Sequence, residues 1–315
     1  MWSGNHSSAD TSEMLMTGMA ADSDIAEQTF SYYLTGLSGE SYLDFGTPNT
    51  AVMDGSPVYI SIKSENYWWS SDLTGFRWSD DSSNEYAISS GSYALTDTGS
   101  SCIVGPSEEA DVIVRNIVSN FDKVYEDEGW GYIFGCPAND NDLPSFEFLY
   151  GGYWFEVLPE DYLIDITSNN SRVWCALCIT SIEGFDEWIL GDAFMRGWYN
   201  IHDHANLRMG FVPFTGSSKS APETATTTPT GSIPDVTLTN VSTLILGLDS
   251  TVFWVLFTVF LVSTLCCTAC VVYCFFGMVF SQKSTVLARG KKILQKSAAG
   301  GSNDSESQIS LIYLQ

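Results

Sequence analysis

From Phe30 to Phe214 short apolar or aromatic runs alternate with clusters of Gly, Ser, Asn and Asp, the pattern of an all-β domain built from many short strands. Val58, Ile60 and Ile62 alternate with Tyr59 and Ser61, which predicts a half-buried strand. A closing hairpin is predicted on either side of Asp203 to Asn206, and the strands read as antiparallel. One helix interrupts them. Ser107 after Pro106 reads as its N-cap, Glu108 and Glu109 occupy the first turn, and Ile113, Ile117 and Phe121 recur at every fourth position. A second, shorter helix is read around Asp192 to Trp198.

Beyond Phe214 the pattern changes twice. In Thr215 to Thr237, 14 of 23 residues are Ser, Thr or Pro, too few apolar positions for a core, so residues 216–250 read as an extended, O-glycosylated stalk. No charged residue stands between Asp249 and Lys283, and 251–280 is rich in Val, Leu, Phe and Cys. A hydrocarbon core needs about 20 apolar residues, so this run reads as a single transmembrane helix. The basic residues Lys283, Arg289, Lys291, Lys292 and Lys296 follow it. By the positive-inside rule 281–315 becomes a cytosolic tail resting against lipid, and the N-terminal part is lumenal or extracellular, at the cell surface or in an endolysosomal or vacuolar compartment.

Charge sharpens that division. The chain carries 38 acidic against 13 basic residues, a formal charge of −25, which repels phosphate and excludes a nucleic-acid partner. Residues 1–9 stay unassigned; Met1 to Gln28 shows no basic and apolar leader, so a truncated N-terminus or an unusual anchor is expected. Sequons at Asn5, Asn169 and Asn240 fit a glycosylated lumenal face. Cys102, Cys136, Cys175 and Cys178 precede the apolar run, and in an oxidising compartment their spacing leaves three pairings open. Cys266, Cys267, Cys270 and Cys274 lie within the run, the last as a candidate for palmitoylation.

The segment Tyr93 to Pro106, YALTDTGSSCIVGP, drives an apolar strand into Asp97-Thr98-Gly99-Ser100 and then into the capped helix. Gly99 permits a tight turn that aims a carboxylate out of a buried strand, and Ser100 can hydrogen-bond that carboxylate; an Asx-type turn is the bland alternative. At this point the chain resembles the C-terminal lobe of the pepsin-like aspartic proteases, in ordered blocks over residues 10–215. Met14 to Leu34 looks like the linker entering that lobe, Ser41 to Gly46 like its ELxFGG strand, and Pro57 to Trp69 like its paired strands. Leu143 to Leu163 is similar to its LPxxxF, Gly-Tyr and P-x-x-Y pattern, and Glu187 to Pro213 to its WILGDxFxRxYY block.

The resemblance implies an all-β, pepsin-like lobe and an endopeptidase that acts on polypeptides through two carboxylates sharing one proton, one activating water while the other polarises the peptide carbonyl. It needs no cofactor and no metal. By the same resemblance Asp97 is one catalytic aspartate, Thr98 belongs to the interlobe hydrogen-bond grip, and Ser100 braces the carboxylate. Gly99 and Ser101 contact bound peptide, and Ile189 walls a prime-side pocket. It also implies a disulfide between Cys136 and Cys178, leaving Cys102 and Cys175 as a second pair or buried thiols. Asp97 heads the one DTG of the sequence, so the partner carboxylate is expected from a missing N-terminal lobe or from a second copy of the chain. The rival reading is a catalytically inactive, membrane-tethered lobe serving binding or adhesion. Cys175-x-x-Cys178 supplies too few ligands for structural zinc. His202-Asp203-His204 resembles a chelate but is read as surface polar residues at a hairpin end.

Overall fold

The computed structural model describes residues 15–35, 40–63, 68–88, 93–167, 172–245, 248–249 and 251–261. Residues 1–244 form one compact unit and 245–315 another, and each is taken by itself.

The first unit is a β-rich lobe with short helices. An antiparallel sheet runs in the order Tyr42–Phe45, Thr29–Tyr33, Trp198–Asp203, Arg208–Pro213, Val58–Ser61. The predicted hairpin is its centre, with Asp203 paired to Arg208 across the turn. A second sheet orders Glu223–Thr224, Tyr153–Val157, Phe146–Tyr150, Leu73–Trp78, Tyr86–Ala87. A third places Leu163–Asp165, Trp174–Leu177, Gly131–Gly135 and Val124–Asp127 beside Val241–Ile245.

The fourth sheet departs from the antiparallel expectation. Ile103–Pro106 pairs in parallel with Ile179–Ile182 and antiparallel with Trp188–Leu190, and Trp188–Leu190 pairs in parallel with Ala94–Thr96. Strands distant in sequence are thereby interleaved, a pairing that local alternation does not reveal. The helix Ser107–Val118 starts one residue earlier than expected: Pro106, in extended geometry, is the cap, and Ser107 is already helical. Ile113 and Ile117 are buried as the period requires, whereas Phe121 lies past the helix end and stacks on Phe134 at 4.0 Å. The second helix is only Asp192–Met195.

One core joins the sheets around Trp69, Phe76, Phe134, Phe148, Trp188 and Phe194. Trp69, Trp154 and Phe155 are buried, while Trp68 is exposed. His202 corrects the surface reading. It is 2% exposed, stacks on Phe30 at 4.6 Å, and meets the edge of Trp69 at 4.7 Å. Strand alternation puts it on the inner face of the hairpin, and the aromatic residues around it complete its enclosure.

The disulfides also correct the pairing that the resemblance implied. Cys178 bonds Cys102 and Cys136 bonds Cys175, with Cα separations of 4.5 and 4.9 Å. Strand register explains the exchange. Ile179 is level with Ile103 in a parallel pair, so the preceding residues Cys178 and Cys102 are also level. Phe134 faces Cys175 and Cys136 N–H donates to the Val173 carbonyl, which makes Cys136 and Cys175 diagonal neighbours on one face of the strand pair. Three residues of strand, about 10 Å, separate Cys175 from Cys178, too far for one cysteine to serve either.

The segment expected to be a free stalk is laid against the lobe as far as residue 244. Glu223–Thr224 extends a sheet by pairing with Tyr153–Trp154, and Ala87 N–H donates to the Gly231 carbonyl at 3.0 Å. Lys219 is buried: its Nζ lies 2.6 Å from Asp161 Oδ2 and donates to the Glu156 carbonyl at 2.7 Å. Ile233 is buried, and Arg115 pairs with Asp235 at 2.8 Å. A Ser/Thr/Pro-rich strap cannot build its own core, but a few anchors suffice to fix it on another. Asn240 of the third sequon donates its side-chain amide to the Phe121 carbonyl; Asn5 and Asn169 lie outside the described residues.

In the second unit residues 251–261 are helical, while 262–280, with Cys266 to Cys274, lie outside the described residues. Among the described residues no helix is long and apolar enough to cross a membrane.

Candidate active site

Asp97 ends the strand Ala94–Thr96, and its N–H donates to the Leu190 carbonyl at 3.1 Å. The chain then turns within three residues. Gly99 N–H donates to Asp97 Oδ1 at 3.0 Å, Ser100 Oγ donates to Asp97 Oδ2 at 2.7 Å, and Ser100 N–H closes the turn onto the Asp97 carbonyl at 3.2 Å. Both carboxylate oxygens are therefore held, one by backbone and one by hydroxyl, while the side chain stays half-exposed. A Cβ on Gly99 would sit 3.2 Å from Asp97 Oδ1, a tight approach to the carboxylate.

A second segment locks this turn from below. Asp192 N–H donates to the Ser100 carbonyl at 2.8 Å and Ala193 N–H to the Ser101 carbonyl at 3.0 Å. Gly191 makes that contact possible: a Cβ there would stand 2.5 Å from the Cys102 carbonyl oxygen and closer still to that of Ser100. Gly105 has the same function beneath Trp188, whose ring atoms would be 2.5 Å from an added Cβ. The turn is thus seated on Leu190-Gly191-Asp192, which reasoning centred on DTGS passed over as a site element. The signal was there in the WILGD block of the resemblance.

Thr98 and Ser101 are exposed beside Asp97, and Ile189 is half-buried in the neighbouring strand, paired with Leu95. The structure thus brings Asp97, Thr98, Gly99, Ser100 and Ser101 together on one turn, with Ile189 on the adjoining strand. The cysteines and the sequons belong elsewhere in the lobe.

The electrostatics around the turn are acidic. Burial raises the Asp192 carboxyl above its ordinary value and the charge of Asp97 adds to this, with Arg196 opposing. The Tyr32 hydroxyl is raised well above its ordinary range, by burial first and then by Asp192, Tyr150 and Asp97. Tyr32 is fully packed, its hydroxyl 2.7 Å from Met195 Sδ. Two carboxyls and one phenol thus sense one another beneath the turn, and Asp97 is the one presented to solvent.

A carboxylate so held is oriented toward solvent, and sharing a proton requires a second carboxyl within a few ångströms of it. Comparison with known proteins is in line with the turn's architecture. Residues 3–214 match the family model for eukaryotic aspartyl protease. Gastricsin from Oryctolagus cuniculus is 28% identical over 199 residues, 62% of this chain and 49% of the relative. Gastricsin from Homo sapiens is 28% identical over 212 residues, 65% and 51% of the two chains, and pepsin A from Bos taurus 27% over 194 residues, 60% and 48%. The chain spans about half the length of these curated relatives. With the family model covering most of its residues and a braced Asp-Thr-Gly-Ser turn at the end of a buried strand, the chain belongs to the eukaryotic aspartyl proteases.

Proposed function

We propose that this chain supplies one lobe, and Asp97 one carboxylate, of an acid endopeptidase that cleaves polypeptides between bulky apolar residues. The observation that carries the reading is the bracing of both Asp97 oxygens by Gly99 N–H and Ser100 Oγ in a half-exposed position. In this reading the partner carboxylate comes from another lobe, encoded upstream or provided by a second copy. Brought within a few ångströms, the two carboxyls share one proton, because both cannot ionise at that distance. The ionised one takes a proton from the attacking water while the protonated one polarises the carbonyl, and the roles reverse as the amine leaves. Thr98 reaches across to the other lobe, Ser100 fixes the carboxylate, and Gly99, Ser101 and Ile189 line the peptide.

The reading includes a membrane anchor at 251–280, which puts the lobe in a lumenal or extracellular space and 281–315 in the cytosol. The uncharged run followed by five basic residues supports it. The test is cleavage of a denatured protein substrate at acid pH by the full chain, alone and together with an upstream lobe carrying a second Asp-Thr-Gly. Pepstatin-sensitive cleavage that Asp97→Asn abolishes is the expected result. A folded chain inactive in both settings would favour the binding or adhesion ectodomain instead.

A further inference from the structure

We propose that the cavity where the third and fourth sheets diverge is a binding site for the arginine side chain of a polypeptide partner. It requires nothing of the activity proposed above, and none of its lining residues belongs to the turn that carries Asp97. The cavity follows from strand register. Gly131–Gly135 pairs with Trp174–Leu177 only from Ile133 to Gly135, opposite Ala176 to Trp174. By Ile179 the chain has changed sheets and is level with Ile103 in the parallel pair. Gly131 and Tyr132 pair with Asp127 and Glu126 on one side, and among the described residues no strand takes the place on the other. The helix Ser107–Val118 closes the fork, contributing Asp111 and Val114.

Size and lining select the occupant. The volume is about 90 Å³, well short of the roughly 300 Å³ at which sites for whole small molecules begin, so the cavity suits a single side chain. Val114, Leu177 and Ile179 are buried and offer an apolar floor to an aliphatic stem. Asp111, three residues before Val114 on the same helix face, adds a carboxylate that no cation pairs with among the described residues. Arg115, the cation one turn further on, is committed to Asp235 at 2.8 Å. Trp130 and Tyr132 line the same space, and the turn before them is fixed by Asp127 Oδ1, which accepts from Gly129 N–H and Trp130 N–H, both at 2.9 Å. Burial raises the Tyr132 hydroxyl above its ordinary range, and Glu126 and Asp111 add to this against Arg115, so both carboxylates are felt at the cavity wall. A planar guanidinium on an apolar stem uses all of these features, pairing with the carboxylate and stacking on aromatic rings, where a compact, strongly hydrated ammonium gains less. The chain's charge of −25 favours a basic partner in the same way.

The experiment titrates the isotopically labelled full chain, in detergent micelles at about 0.15 M salt, with N-acetyl-arginine methylamide and with its citrulline analogue, which keeps the shape and loses the charge. The readout is the Trp130 indole N–H resonance, assigned by its loss in W130F. The expected result is a saturable shift with the arginine probe, at a dissociation constant of millimolar order, and none with the citrulline probe. D111N should weaken binding about tenfold, whereas E128Q, which removes a nearby charge that does not line the cavity, should change it less than about twofold. Equal shifts from the two probes, or no shift from either, would overturn the proposal. Equal weakening by D111N and E128Q would also overturn it, by reducing the effect to diffuse attraction toward an acidic surface. Binding is read without proteolysis, so failure here leaves the reading of Asp97 standing.

Discussion

His202 makes this lobe sensitive to acid, and the size of the effect follows from its surroundings. The imidazole is packed between Phe30, Tyr32 and Trp69, and its Nδ1 finds no hydrogen-bond partner among the described residues. Burial lowers its pKa from the ordinary 6.5 to about 3. The unfolded chain therefore takes up a proton between those values and the folded chain does not. Stability is complete above pH 6.5 and falls as pH drops toward 3, by about 1.4 kcal/mol per pH unit, or ~3 kcal/mol between pH 7 and pH 4. His202→Phe keeps an aromatic ring in the stack and removes the titration. The larger ring costs about 1–2 kcal/mol in overpacking, equally at both pH values, so the diagnostic is the difference and not the absolute stability. Urea unfolding followed by tryptophan emission at pH 7 and pH 4 measures both. The variant's loss between the two should be smaller than the wild type's by about 3 kcal/mol. Equal losses in the two proteins would refute the argument, because they would mean that His202 is protonated in the fold.

Gly191→Ala drives a methyl group into the carbonyls of Ser100 and Cys102 and should cost about 3 kcal/mol or more, with accelerated hydrogen exchange at the Asp192 and Ala193 amides that seat the turn. Lys219→Ala leaves Asp161 buried without its cation; a loss of about 3–5 kcal/mol in urea unfolding is expected, with residues 220–235 newly open to limited proteolysis. Mapping under non-reducing conditions should give the peptide pairs Cys102–Cys178 and Cys136–Cys175, and removal of either bond should cost about 4 kcal/mol for loops separated by 76 and 39 residues.

What could be read in advance follows a physical division. Strand alternation at Val58 to Ile62, the helix period at Ile113 and Ile117 and the turn chemistry of Asp97-Thr98-Gly99-Ser100 are local, and the structure contains each as an element. The parallel pairs of the sheet holding Asp97 are not local: Ala94–Thr96 and Trp188–Leu190 meet across more than ninety residues. The cysteine pairing failed for the same reason, since which cysteines are level depends on that register. His202 reads as a surface residue because Asp203 and His204, which follow it, suit a turn, while its three neighbours in space, Phe30, Tyr32 and Trp69, come from other strands or loops. The strap was misjudged by composition. Fourteen Ser, Thr and Pro residues in Thr215 to Thr237 hide the few that matter, Lys219, Glu223 and Ile233.

Taken with the chain's charge, these features define a pH range rather than a simple preference for acid. Before Lys283 there are 36 acidic and 8 basic residues, so self-repulsion opposes the compact lobe at pH 7 and weakens once carboxylates begin to protonate, below about pH 5. His202 acts in the opposite direction, with its loss spread from 6.5 down to about 3. Asp203 adds a second loss at lower pH. Burial raises its carboxyl, but Asn206 and Arg208 more than offset this and hold it below the ordinary 3.8, so the hairpin turn loses support as pH falls beneath that value. Relief of repulsion is spread over many carboxylates and is screened by salt, whereas the histidine term is confined to one desolvated ring and is not. Between pH 6.5 and about pH 5 the histidine term therefore acts alone and the lobe loses stability, whereas below about pH 5 relief of repulsion opposes the further loss. Raising the salt concentration should leave the loss between pH 6.5 and about pH 5 unchanged and steepen it below about pH 5, because salt removes the advantage of acid without touching the cost at His202.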